Sequence, residues 1–233
     1  MPDLASAFVY YVVFLFSTTL HEAGHAWAAK VGGDLTAYHG GQVSLDPRPH
    51  IRREPFGMVI LPLLTVVTSG WPMGFASAPF DPAWALRHPR RAGWMALAGP
   101  AANLTLVLLA TVGLRVGMAV GVFGAPQSIG FDHLVGVAGG AWTGIAFFLS
   151  VLFSMNLLLG SLNLIPLPPL DGSAAVSVLL NETTATRYQR FLMTTGQTFA
   201  IIGMLAAWRL FDMIFGPIFV TAINLLHWGS HYG

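Results

Sequence analysis

His21 and His25 bracket a glutamate in the run His21-Glu22-Ala23-Gly24-His25. On a helix, positions four apart lie on one face, about one turn from each other. Two imidazoles so placed can reach a single zinc ion, and a glutamate next to the first can act on a water at that ion. The chemistry implied is metal-assisted hydrolysis. The chain has no cysteine, which excludes disulfides, thiol catalysis, iron–sulfur clusters and thiolate zinc sites. A further protein ligand must then be His, Asp or Glu.

Four residues outside the loops qualify: Asp171, Glu182, Asp212 and His227. Asp171 stands out. It follows the longest stretch without Asp, Glu, Lys or Arg and lies in Asn163-Leu164-Ile165-Pro166-Leu167-Pro168-Pro169-Leu170-Asp171-Gly172. Prolines remove backbone donors and stop a helix, and glycine permits unusual dihedral angles. Irregular backbone at membrane depth is tolerated where it lines a cavity or is buried in protein. Asp171 can also cap the helix expected over 172–181, which does not exclude ligation. A Gly99-Pro100-Ala101-Ala102-Asn103 run places an amide inside another apolar stretch.

The elements that must position these groups are membrane helices. Of 233 residues, 55% are hydrophobic and 9% are charged, where a soluble domain carries about 25% charged. Disorder is excluded by the same apolar excess. A helix needs about 20 apolar residues to cross a bilayer. Spans are expected over about 4–30, 92–122, 139–165 and 196–215, with further apolar segments at about 56–75 and 217–228. The first span lacks a basic leader region and carries the charged motif, so it is expected to be retained.

Basic residues cluster in Lys30 to Arg53, in Arg87 to Arg91 and at Arg187 and Arg190, and 123–140 has none. The positive-inside rule puts the basic loops in the cytoplasm. His21, His25 and Asp171 then share the cytoplasmic half. Segment 56–75 has basic residues on both sides and several prolines and glycines, so a re-entrant or shallow path is expected. Two strand-like pieces, Gly41 to Leu45 and Gly74 to Phe80, each run into Asp-Pro, a turn signal. They suggest a small interfacial sheet. His39, His50 and His88 are expected at the interface or in solvent. Ser17, Thr18 and Thr19 either line a water path or bond back to their own helix. Arg209 and Asp212, one turn apart, are expected to pair.

Together these motifs resemble the site-2 protease family of intramembrane zinc metalloproteases. The family pattern is H-E-x-x-H in one membrane helix, G-P-x-x-N in another and N-x-x-P-x-P-x-L-D-G in a third, and all three occur here in that order over about residues 8–180. The resemblance is to a compact prokaryotic branch without PDZ or CBS modules. It implies zinc, one ion per chain, with His21, His25 and Asp171 as ligands and Glu22 as general base. It also implies that Asn163 steadies the oxyanion or the substrate backbone. That branch often carries a lysine where this chain has Ser77.

The expected architecture is an all-α polytopic membrane protein, a bundle of about 4–6 membrane segments with a small interfacial β-sheet. It forms a single domain over 1–233, with a catalytic core at about 8–180 and C-terminal membrane helices at about 190–228. The expected activity is zinc-dependent hydrolysis of a peptide bond within or near a transmembrane segment, in a prokaryotic cell membrane with the site toward the cytoplasm. Partners are then the lipid bilayer and a transmembrane protein or peptide substrate. A net charge of +1 gives no basis for nucleic acid. Two rival readings use the same residues: a non-cleaving pseudoprotease that binds membrane helices, and a metal or proton transporter. The intact H-E-x-x-H together with Asp171 argues against the first. Transporters commonly show duplicated halves, and no repeat is visible.

Overall fold

The computed structural model describes residues 3–196 and 198–228. Its helices in chain order are α1 (Leu4–Gly32), α2 (Thr36–His39), α3 (Pro47–Arg53), α4 (Leu61–Ser69), α5 (Pro82–Arg87), α6 (Pro89–Ala119), α7 (Ala141–Asn163), α8 (Asp171–Ala175), α9 (Glu182–Phe191) and α10 (Ala200–Leu226). Of these, α1, α6, α7 and α10 are long and apolar enough to cross a membrane. The chain is an integral membrane protein built on these four.

Helix ends follow local chemistry. The Asp3 carboxylate accepts the Ser6 N–H at the start of α1, and Gly33, at φ 98°, ends it in the left-handed region open to glycine. Helix α6 lies between α1 and α7. Lipid offers helices no hydrophobic drive to associate, so small residues that let backbones approach become the means. Accordingly, a Cβ on Gly24 of α1 would lie 2.8 Å from the Ala98 carbonyl oxygen of α6. Ala26 and Ala29 on α1 and Ala110 on α6 are fully buried.

The loop between α6 and α7 closes one end of the bundle. Its Leu134 N–H donates to Ser150 Oγ at 3.0 Å, and Tyr10 donates to Asp132 at 3.1 Å. Arg115 donates to the Leu226 carbonyl at 3.1 Å and so holds the end of α10. Helix α10 is continuous through Pro217, where Gly216-Pro217 suggests a break. Neighbouring groups and local adjustments commonly make a proline tolerable in a membrane helix. Arg209 and Asp212 form no ion pair among the described residues.

The expected sheet is absent. Among the described residues the only β-pairings are isolated bridges at Gly124–Gly136 and Gly130–His133. The Asp-Pro signals have a different origin. Asp46 accepts the Arg48 N–H and Asp81 the Ala83 N–H, each with proline at the first helical position. They start helices rather than stop strands. Residues 72–80 carry no regular structure, and the one backbone hydrogen bond there runs from Phe75 to Gly57. Gly57 belongs to a π-helical turn, Phe56–Ile60, so the segment has no strand to pair with. The apolar helix Phe56–Ser69 is too short to span.

Asp34 staples this region to the end of α1. Its carboxylate accepts from Thr36 N and Oγ1 and from Asp81 N. Burial pushes its pKa up, but these donors outweigh burial and hold it below the ordinary value. His50, expected at the interface or in solvent, is buried, with Nε2 on the Ser44 carbonyl.

Candidate metal centre

The site forms at the end of the bundle opposite the α6–α7 loop, from the second half of α1, the first half of α6 and the turn after α7. His21 and His25, one turn apart on α1, are both buried. Their Nε2 atoms lie 3.0 Å from each other. Asp171 Oδ2 completes the cluster at 3.0 Å from His21 Nε2 and 3.3 Å from His25 Nε2. Among the described residues these three form the one group of His, Asp or Glu side chains placed to share a metal ion, with ligand atoms all within 4.8 Å. Glu182, Asp212 and His227 are not in it; His227 Nε2 instead meets the Leu134 carbonyl at 2.7 Å.

Each ring is held from behind. His25 Nδ1 lies 2.7 Å from the Met95 carbonyl oxygen, which can only accept, so Nδ1 carries hydrogen. His21 Nδ1 meets Asn103 Oδ1 at 2.6 Å. Such partners on the far ring nitrogen orient metal-binding imidazoles. The α6 backbone passes close to the ring tips because residue 99 is glycine. A Cβ there would press on His25 Nε2 and lie 2.6 Å from His21 Nε2.

The turn 164–170 carries Asp171 back over the histidines. Leu170 N donates to Leu167 O, and Ser173 Oγ to Leu170 O. Gly172 is required, since a Cβ would strike the Leu164 carbonyl oxygen. A Cβ on Gly203 of α10 would strike the Pro168 carbonyl, so α10 packs directly on this turn. Asp171 opens α8 but makes no side-chain cap. Its side chain remains 24% exposed, leaving the cluster accessible on that side.

Glu22 is buried, and its Oε2 has no hydrogen-bond partner. A buried carboxylate oxygen ordinarily has one, so this atom keeps an unused acceptor inside the bundle. Asn163 lies at the end of α7, with Nδ2 donating to its own helix at Leu159 O, 3.0 Å. Asn156 escapes a reading of the sequence as a site residue. Asn156 sits in an uncharged apolar run, and its one signal is the seven-residue spacing to Asn163, which places both on one helix face.

The donor set of two imidazoles and a carboxylate fits a divalent ion of the zinc type, which takes three protein ligands and an open position in catalytic sites. Gly99→Ala is expected to weaken zinc binding and lower activity about a hundredfold, the cost of a 1 Å misplacement. Competition with a chromophoric chelator measures the first effect.

The chain is similar in sequence to known zinc metalloproteases. A family model described as Peptidase family M50 matches residues 9–203. The chain is 32% identical over 170 residues to a Bacillus subtilis (strain 168) protein named "Putative zinc metalloprotease YwhC", covering 72% of this chain and 68% of that protein. It is 33% identical over 208 residues to "Putative zinc metalloprotease Rip2" of Mycobacterium tuberculosis (strain ATCC 25618 / H37Rv), covering 88% and 69%. No solved structure matches the chain.

Proposed function

The chain belongs to peptidase family M50, the site-2 protease family, and from that premise we propose that it cuts a peptide bond within or near a transmembrane segment of another membrane protein. It is a zinc metalloendopeptidase by kinship. The observation that carries the finer reading is the convergence of His21 and His25 with Asp171, 150 residues from His21 in sequence.

His21, His25 and Asp171 would hold the ion. Bound there, zinc would supply Lewis acidity toward a water and a carbonyl. Glu22 takes the proton of the attacking water and passes it to the leaving amine. Asn163 has one amide hydrogen on Leu159 O, and the other would be the donor to the developing oxyanion. The basic loops favour the cytoplasmic side for this half of the molecule, and the bacterial relatives support a prokaryotic membrane.

A helical substrate must unwind before its carbonyls can react. Residues 72–80 are suited to hold the unwound piece by strand addition. Along an extended chain, successive backbone groups face opposite sides. Met73 N and Phe75 N donate inward, to Thr65 Oγ1 and Gly57 O, and the Ser77 hydroxyl donates to Glu54. The N–H groups of Gly74, Ala76, Ala78 and Phe80 have no partner among the described residues and form the open edge.

The test is incubation of the purified protein in proteoliposomes with single-span membrane peptides, followed by mass spectrometry. Cuts inside or beside the apolar span, lost on chelation and restored by zinc, are expected. Zinc-loaded protein that binds the peptides and cuts none would leave the pseudoprotease reading in place.

A further inference from the structure

Behind His21 a chain of buried amides runs from α6 to α7 and back to α1. Asn103, Asn156 and Ser17 are each fully buried. We propose that Asn156 is a positioning residue that sets, through Asn103, which ring nitrogen of His21 carries hydrogen. The proposal rests on the reading of His21 as a zinc ligand.

The direction of the chain begins at a backbone carbonyl. Leu152 O can only accept, and Asn156 Nδ2 lies 2.8 Å from it. The same nitrogen lies 2.9 Å from Ser17 Oγ. Both hydrogens of the Asn156 amide are thereby used. Asn156 must therefore turn Oδ1 toward Asn103, whose Nδ2 is 2.9 Å away. Asn103 donates there, so its own Oδ1 faces His21 Nδ1. An amide oxygen only accepts, so Nδ1 of His21 carries the hydrogen and Nε2 keeps its lone pair.

That lone pair is the one aimed at the cluster, since Nε2 of His21 is the atom nearest Asp171 and His25. A reversed Asn103 amide would set N–H against Nδ1. The ring hydrogen would move to Nε2 and occupy the metal-binding position. Nothing in Asn103 alone prevents that reversal, because its two amide ends are nearly the same size. Asn156 prevents it by offering an oxygen, and Leu152 O fixes Asn156. His25 needs no relay, because the Met95 carbonyl fixes its ring directly.

The test uses the full chain in detergent, stripped of metal, with zinc affinity read by competition against a chromophoric chelator. Asn156→Leu is expected to weaken zinc binding about 10- to 100-fold, the usual cost of losing an outer-shell partner. Adding Asn103→Asp is expected to restore affinity to within about threefold of wild type, because a carboxylate presents an acceptor to His21 whichever way it turns. Damage to packing alone would not be repaired that way. Wild-type affinity in Asn156→Leu, or a double variant as weak as the single, overturns the proposal. Should Asn156→Leu fail to fold, Asn103→Asp is expected to keep zinc and Asn103→Leu to lose it, and equal loss in both overturns the proposal. Unchanged affinity in His21→Ala instead overturns the underlying ligand assignment, and so separates the two failures.

Discussion

Glu22→Gln is expected to lower peptide hydrolysis by about 10²- to 10⁴-fold, the contribution of a positioned general base, while zinc content stays at the wild-type level. Glutamine matches glutamate in shape and can accept a hydrogen bond, but it cannot take up a proton from water. Glu22 is outside the group of three ligand atoms, so the metal has no reason to leave. Its Oε2 has no partner to lose, so the fold has little to suffer. Kinetics on a spanning peptide that wild type cuts, with metal analysis of the same preparation, measure both halves. Hydrolysis within about threefold of wild type would remove Glu22 from the base role. A parallel loss of zinc would make it a ligand.

Asp171→Ala is expected to act on the other half of the chemistry. Losing an outer-shell partner costs about 10–100-fold in metal affinity, and losing a ligand itself should cost more than about a hundredfold. Two buried imidazoles remain, 3.0 Å apart, without the carboxylate oxygen that completes the group. Activity then falls to background because the ion is absent, and excess zinc in the assay should recover part of it. Chelator competition and a zinc titration of activity separate this outcome from that of Glu22→Gln. Undiminished zinc affinity in Asp171→Ala would assign the third position elsewhere.

Much of the site is legible in the sequence because its parts are punctuated. His21 and His25 lie within one helix, where spacing alone fixes a shared face. Asp171 is marked by the prolines and glycine that force the chain to turn back, and the close approaches at Gly172 and Gly203 show why that turn admits no bulk. The Gly99-to-Asn103 run signals little by itself, yet Gly99 makes room for both imidazoles and Asn103 backs one of them. What the sequence hides is pairing across helices. Asn156 looks like a chance polar residue in an apolar span until α6 brings Asn103 against it. Ser17 reads equally well as lining a water path, but its hydroxyl is buried against Asn156.

The four long helices are legible because length and apolar content suffice to identify them. Errors arise where one local signal serves two structures. Asp-Pro both ends strands and starts helices; Asp46 and Asp81 accept hydrogen bonds from the first turns of α3 and α5 and settle the matter locally. Gly216-Pro217 can break a helix, but α10 runs through it, with Thr221 Oγ1 bonded to the Pro217 carbonyl. Residues 72–80 do run without helix. Whether such a piece joins a sheet depends on what lies beside it, and here a π-helical turn does.

X-ray absorption at the zinc edge of the purified, active protein probes the metal centre itself. The structure predicts one zinc per chain, bound by two imidazole nitrogens at about 2.0–2.1 Å with oxygen completing the shell. Replacing His21, His25 and Asp171 together with alanine should abolish that signal. Zinc persisting in the triple variant with the same scattering shell would contradict the assignment of the centre to these three residues.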